Sequence, residues 1–250
     1  VNAFELQHIC RAIPGDEGPQ SLLNDVTVCF EKGLLHALVG PSGGGKTSLL
    51  RLLNRLDAPD AGTVSYAGRD LGCWEPRRLR RTVAFVPQQP HIFPGTARDN
   101  LLFGLRFHPD IVPTDQQRLS ELCALSQFPP DLLSKPAEKL SIGQQQRLVL
   151  ARALCLEPEV LLLDEPGSAL DRPTAEALGR SLRHLCRRSV TIILVSHDLE
   201  WVRNHADQVL FMEAGELKLQ CPAAAFFNRG VEDRIGRFIA GQKEALHHDG

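Results

Sequence analysis

Apolar residues fall into distinct patterns along the chain. Near its start they alternate with polar ones, over residues 4–9 (FELQHI) and 26–30 (VTVCF), with turn formers at 14–19 (PGDEGP) between them. A period of two predicts half-buried strands. Residues 34–39, 160–163 and 190–195 instead form short, largely apolar runs. Strands buried on both faces of a parallel sheet read that way. Residues 63–66 and 83–86 are shorter strand candidates, 48–56 reads as a helix, and 174–186 fits a crossover helix between two buried strands. From 90 to 158 the chain is rich in Leu, Gln and Arg with proline breaks, which predicts a mostly helical insertion. Residues 209–212, followed by Glu-Ala-Gly-Glu, predict a hairpin; the sequence from about 230 is polar, and its HHDG end is expected to fray. The sum is an α/β chain.

Chemistry sits where the buried runs end. After 34–39 comes Gly40-Pro41-Ser42-Gly43-Gly44-Gly45-Lys46-Thr47-Ser48, a GxxxxGK[ST] loop between a predicted strand and a predicted helix. Glycines let backbone N–H groups close on phosphate oxygens, and the helix adds its positive end. Lys46 is the expected partner of the β- and γ-phosphates and Thr47 a ligand of Mg²⁺. The run 160–163 ends in Asp164-Glu165. Asp164 would hold Mg²⁺, directly or through water, and Glu165 would polarise the attacking water. His197, after 190–195, could meet the γ-phosphate from a third side. Gln88, after 83–86, could reach Mg²⁺ or the lytic water, and its place at the strand end favours it over Gln89. A second stretch, LSIGQQQR at 140–147, places Ser141 and Gly143 before another predicted helix start. That makes a second anion site the first does not need, which points to use in trans, over a nucleotide held by another copy of the chain.

Composition narrows the alternatives. The 250 residues carry 28 basic and 30 acidic side chains, net charge −2, so no strongly basic face points to nucleic acid. The seven cysteines lack a CxxC pair and read as reduced core thiols. No run of about 18 apolar residues predicts a membrane span, and the first ten residues do not read as a signal peptide. The expected location is therefore the cytoplasm, with any membrane role through a partner.

Taken together, these motifs resemble the nucleotide-binding domain of the ABC ATPases. The first loop looks like Walker A and LLLDE like Walker B; LSIGQ resembles the LSGGQ signature, Ser168-Ala169-Leu170-Asp171 the D-loop, Gln88 the Q-loop glutamine and His197 the switch histidine. The resemblance runs over about 4–220. It implies a RecA-like P-loop NTPase core with an N-terminal antiparallel β subdomain (1–89 and 159–220), an inserted α-helical subdomain (90–158) and a C-terminal tail (221–250), in one domain. It implies a homodimer sandwiching two ATPs with Mg²⁺, each between the first loop of one chain and Ser141, Gly143 and Gln144 of the other, with Asp171 nearby. The chain departs from the family pattern in two places. Ile142 replaces the second signature glycine, and no aromatic between Phe4 and Phe30 can stack on adenine. Ile13, in sequence read as turn-rich, is the aligned substitute and implies weaker selection of the base. Asn54-Arg55-Leu56-Asp57 imitates a guanine-binding NKxD motif, but it is read inside the helix after the first loop, out of reach of a base. The signature and D-loop speak against a P-loop kinase or GTPase.

Within the family, the resemblance implies an ATPase subunit peripheral to the cytoplasmic face of the membrane, driving a separate permease. Phe93, Pro94 and residues 96–100 are the candidate permease contacts. That segment, with Pro129-Pro130-Asp131 before the signature, looks like the ATPases of metal-related permeases, such as the iron-export type and its plant aluminium-tolerance relatives. The alternative is a non-transport ABC ATPase of DNA repair or translation; those chains usually pair two such domains or carry a coiled coil.

Overall fold

The computed structural model describes residues 1–15, 18–108, 115–228 and 235–240. The centre of the first turn and most of the polar sequence after 228, HHDG included, lie outside the described residues. In chain order the strands and α-helices are β1 (Asn2–Gly15), β2 (Gly18–Glu31), β3 (Leu35–Val39), α1 (Lys46–Leu53), β4 (Ala61–Tyr66), β5 (Arg69–Asp70), α2 (Pro76–Thr82), β6 (Val83–Val86), α3 (Ala97–Leu102), α4 (Gln116–Ser126), α5 (Ile142–Leu154), β7 (Val160–Asp164), α6 (Arg172–Arg187), β8 (Thr191–Val195), α7 (Leu199–His205), β9 (Gln208–Glu213), β10 (Glu216–Pro222) and α8 (Ala223–Phe227).

The short apolar runs become the centre of a six-stranded sheet of order β10-β9-β3-β8-β7-β6. All neighbours are parallel except the β9–β10 hairpin. Every residue of β3, β7 and β8 is buried. Alternation splits each run between two cores. Leu161, Leu163, Ile192 and Leu194 face one that includes α3, α4, α5 and α6. Leu162, Ile193 and Leu38 face another shared with α1 and the second sheet. Both sides are apolar because both are covered, at about 1.5–3 kcal/mol per buried aliphatic side chain. The register sets the carboxyl ends level: Val86 pairs with Leu163, Asp164 with Val195, and Val195 with Leu38. The four segments read as chemistry therefore leave the sheet from one edge.

A separate antiparallel sheet, β2-β1-β4-β5, covers the second core. Its two long strands run well beyond the alternating windows. Register shifts near Ile9 and Arg11 interrupt the β1–β2 ladder, so side chains there do not keep one face. Pairing nevertheless continues to Gly15 and Gly18, and Ile13 lies on β1 opposite Gln20, in strand rather than in the turn expected of it. The NRLD segment also differs from expectation. Helix α1 ends at Leu53, Asn54 caps it, and Arg55 lies at φ 56°. Asp57 is bonded to Arg51 at 2.6 Å, at the end of the helix away from the glycine loop.

His36 is the one charged or polar side chain of β3 and is fully buried. Its Nε2 lies 2.9 Å from the Glu31 carbonyl, its ring meets Phe30 edge-on, and its Nδ1 has no partner among the described residues. Burial pushes its pKa below the ordinary value, against the opposing Glu31 carbonyl. An unfolded chain takes up a proton near pH 6.5 that the native His36 refuses, so folding stability falls as pH drops below that value. Chemical denaturation from about pH 7 to pH 5 should show wild type losing stability relative to His36→Gln, which keeps a donor but does not titrate. A difference between the two that does not change with pH would show that His36 does not titrate on unfolding.

Candidate active site

Beyond β3, Gly40 and Gly45 take positive φ, 135° and 90°. A Cβ on Gly40 would sit 2.0 Å from the Met212 carbonyl of β9, so the loop can pass there only as glycine. Pro41, Ser42 and Gly43 are exposed, Gly44 is buried, and Thr47 and Ser48 lie in the first turn of α1. The loop curls around the Lys46 ammonium, whose Nζ donates to the carbonyls of Gly40 (2.8 Å) and Pro41 (2.7 Å). Burial lowers the Lys46 pKa, and Glu165 and Asp164 pull it back up. A buried cation held by two carbonyls is ready to exchange them for phosphate oxygens.

At the next residue, Thr47 Oγ1 donates to Asp164 Oδ1 at 3.1 Å. Asp164 is 6% exposed, and burial raises its pKa, with Thr47 the largest opposing influence. These hard oxygen donors suit Mg²⁺ held by one carboxylate, a hydroxyl and phosphate. Glu165 follows at φ 51°, in the left-handed region, where its N–H donates to the Val195 carbonyl (3.1 Å) and its own carbonyl accepts from the Ser168 hydroxyl (3.1 Å). Such a backbone costs on the order of 1–3 kcal/mol and aims the side chain away from the strand. The carboxylate is bracketed: Gln88 Nε2 donates to Oε2 at 2.9 Å, and His197 Nε2 lies 3.1 Å from Oε1. Lys46, Thr47, Gln88, Asp164, Glu165 and His197 are thus brought together at the sheet edge, able to hold a polyphosphate and direct a water at it.

The second stretch is not part of this cluster. Ser141 caps α5 in a reciprocal box: its Oγ accepts from the Gln144 N–H (3.3 Å) and Gln144 Oε1 accepts from the Ser141 N–H (3.0 Å). The Ser141 hydroxyl proton remains available to an outside acceptor. Ile142 projects into solvent, 65% exposed, whereas Gly143 faces inward, where a Cβ would meet the Ala169 carbonyl at 2.6 Å. Asp171, read with the D-loop, caps α6 through the Thr174 N–H at 2.8 Å. Ile13 is partly buried on the β1–β2 hairpin, near the Arg11–Asp60 ion pair.

The expected contact segment is only partly surface. Asn100 and Ala97 are fully buried, so neither can meet a partner. Asn100 instead clamps Phe93, accepting from its N–H (2.8 Å) and donating to its carbonyl (2.9 Å). Pro94, Arg98 and Asp99 remain exposed, and Phe93 stacks on Phe103 with centroids 3.9 Å apart. The sequence reading also passed over Gln146 and Arg152, which join α5 to this segment through the carbonyls of Gln88 (3.0 Å) and His91 (2.9 Å). The available signal for Gln146 was its position: three and four residues before Val149 and Leu150, it is a polar residue on the buried stripe of its helix.

Among known proteins, the family model described as ABC transporter matches residues 23–168. The putative ABC transporter ATP-binding protein YjkB of Bacillus subtilis is 33% identical over 242 residues, 96% of this chain and 95% of that protein. The Fe(3+) ions import ATP-binding protein FbpC 1 of Rhodococcus jostii is 42% identical over 204 residues, covering 80% of this chain; the chain spans only 58% of that protein. Among solved structures, the dimeric post-hydrolysis state of the ATP-binding cassette MJ0796 bound to ADP and Pi superposes with TM-score 0.81 at 26% identity, over 91% of this chain and 99% of that one.

Proposed function

The chain belongs to the ABC transporter family and is an ATPase that converts ATP to ADP and phosphate; from that premise, we propose that it powers a separate membrane permease by closing as a head-to-tail dimer over two ATPs. The observation that carries this reading is the division of the phosphate-binding parts. The Lys46–Glu165 cluster is complete at one edge of the sheet, yet the Ser141 hydroxyl and the exposed Ile142 face solvent with no local ligand. In this reading Gly40 to Ser48 bind the triphosphate, Thr47 and Asp164 hold Mg²⁺ with Gln88, Glu165 directs the water, and His197 steadies both Glu165 and the γ-phosphate. Magnesium, when bound, neutralises developing charge between the β- and γ-phosphates. Ser141, Gly143 and Gln144 of the second copy complete the site, with Asp171 at the same seam. Ile13 supplies an aliphatic face to the base where an aromatic would stack.

Exposed Pro94, Arg98 and Asp99 beside the Phe93–Phe103 stack form the proposed permease contact. No helix among the described residues is long and apolar enough to cross a membrane, in keeping with a subunit that reaches the membrane through a partner. A metal ion is the cargo class supported by the Fe(3+) name of the Rhodococcus relative. The direction named there is import, the reverse of the export type that residues 90–104 resemble, so no direction is proposed. The test is capture of the partner. Cross-linking the Glu165→Gln chain with ATP in its native cells should recover a polytopic membrane protein, whose pore chemistry then identifies the cargo. Recovery of ribosomal or DNA-bound partners alone would replace this reading with a non-transport ATPase.

A further inference from the structure

The loop that follows β6 carries Gln88 to Glu165, but the helical insertion holds its backbone. Three side chains do so: Gln146 donates to the Gln88 carbonyl (3.0 Å), Arg152 to the His91 carbonyl (2.9 Å), and Asn100 clamps both backbone groups of Phe93. Of the three, only Gln146 acts on Gln88, whose side chain touches Glu165. It sits one turn into α5, the helix that Ser141 and Ile142 begin. An unbroken line therefore runs from that helix through the Gln146 amide, the Gln88 backbone and the Gln88 side chain to Glu165 Oε2.

Gln146 is 7% exposed, and its Oε1 is buried with no hydrogen-bond partner among the described residues. Its donor satisfies the Gln88 carbonyl, but the buried orphan acceptor beside that donor carries a desolvation penalty. The geometry points to Gln146 as a positioning residue for hydrolysis: through the Gln88 carbonyl it sets the Gln88 amide against Glu165, and so ties the readiness of the water-directing carboxylate to the position of α5. The inference rests on the proposed role of Glu165. It adds that the signature helix acts on that carboxylate within its own chain as well as on the nucleotide of the other.

The test replaces Gln146 with Met, which fills the same space and removes both the donor and the orphan acceptor. Thermal unfolding of Gln146→Met should match wild type within a few degrees, the KM for ATP should hold within about twofold, and kcat should fall about tenfold or more. Gln88→Ala alone should lower kcat comparably, and Gln88→Ala with Gln146→Met should be no slower than Gln88→Ala, since both act through one amide. Multiplying effects in the double variant, or a Gln146→Met kcat equal to wild type, would overturn the inference. So would a kcat loss that only tracks a fall in melting temperature. Glu165→Gln, assayed alongside, separates the two levels: if it hydrolyses ATP normally, the role of Glu165 fails first. If it is inactive while Gln146→Met is not, only the role of Gln146 fails.

Discussion

Glu165→Gln is expected to slow ATP hydrolysis by about a hundredfold to ten-thousandfold while the Kd for ATP stays within about a factor of two. The reason lies in where the charge sits. Lys46, Thr47 and the glycine loop make the phosphate contacts in the proposed site, and none depends on the Glu165 carboxylate for its geometry. Glutamine keeps the length of the side chain and one acceptor oxygen. It loses the negative charge that polarises a water and one of the two acceptors, of which Oε2 faces Gln88 and Oε1 faces His197. Since the left-handed backbone at 165 is fixed by the Val195 and Ser168 contacts, the amide should occupy the place of the carboxylate without refolding the turn. Single-turnover hydrolysis and equilibrium nucleotide binding, measured on one preparation, check both halves. Turnover near wild type would remove Glu165 from the reaction, and Asp164 would then be the carboxylate to examine.

The parts of this molecule legible in its sequence share a physical cause. A strand buried on both faces has to be apolar throughout, so β3, β7 and β8 announce themselves, and a charged or amide residue just beyond such a run has to lie at the sheet edge. Gln88, Asp164, Glu165 and His197 could be placed by that rule alone. The β1–β2 pair was only half legible because bulges near Ile9 and Arg11 break the alternation on which strand reading depends, while backbone pairing continues beneath it. Asn100 was misread as a surface contact, and Gln146 was passed over, for the opposite reason. Polar side chains read as surface, yet these two are buried to satisfy the backbone of a loop, a need visible only once the loop has been threaded past the helices. The α1 boundary was misread by a few residues, since nothing in Leu53-Asn54-Arg55-Leu56 breaks helical spacing and only the left-handed Arg55 ends it.

Mixing two inactive variants should restore hydrolysis. Lys46→Ala removes the cation that grips the β- and γ-phosphates, and Ser141→Arg replaces the free hydroxyl at the α5 start with a bulky side chain. Each alone should be nearly inactive as a homodimer. The Arg substitution also gives up an N-cap worth about 1 kcal/mol, too little to unfold the domain. In a two-fold dimer with shared sites, a mixed pair carries one site with both defects and one with neither. Random pairing makes about half the dimers mixed, so an equimolar mixture should recover about a quarter of wild-type activity if each intact site works independently. Sites contained within one chain would predict no gain over the parents. The surface beside Ser141 favours the first outcome. Ile142 is a large apolar side chain 65% exposed, one of only four such residues among those described, and it stands next to a hydroxyl with a proton to give. Exposed apolar area rimmed by polar groups marks a place where another surface closes. On the proposed reading that closing surface would bring the phosphates with it, so that each of the two segments completes a site begun by the other chain.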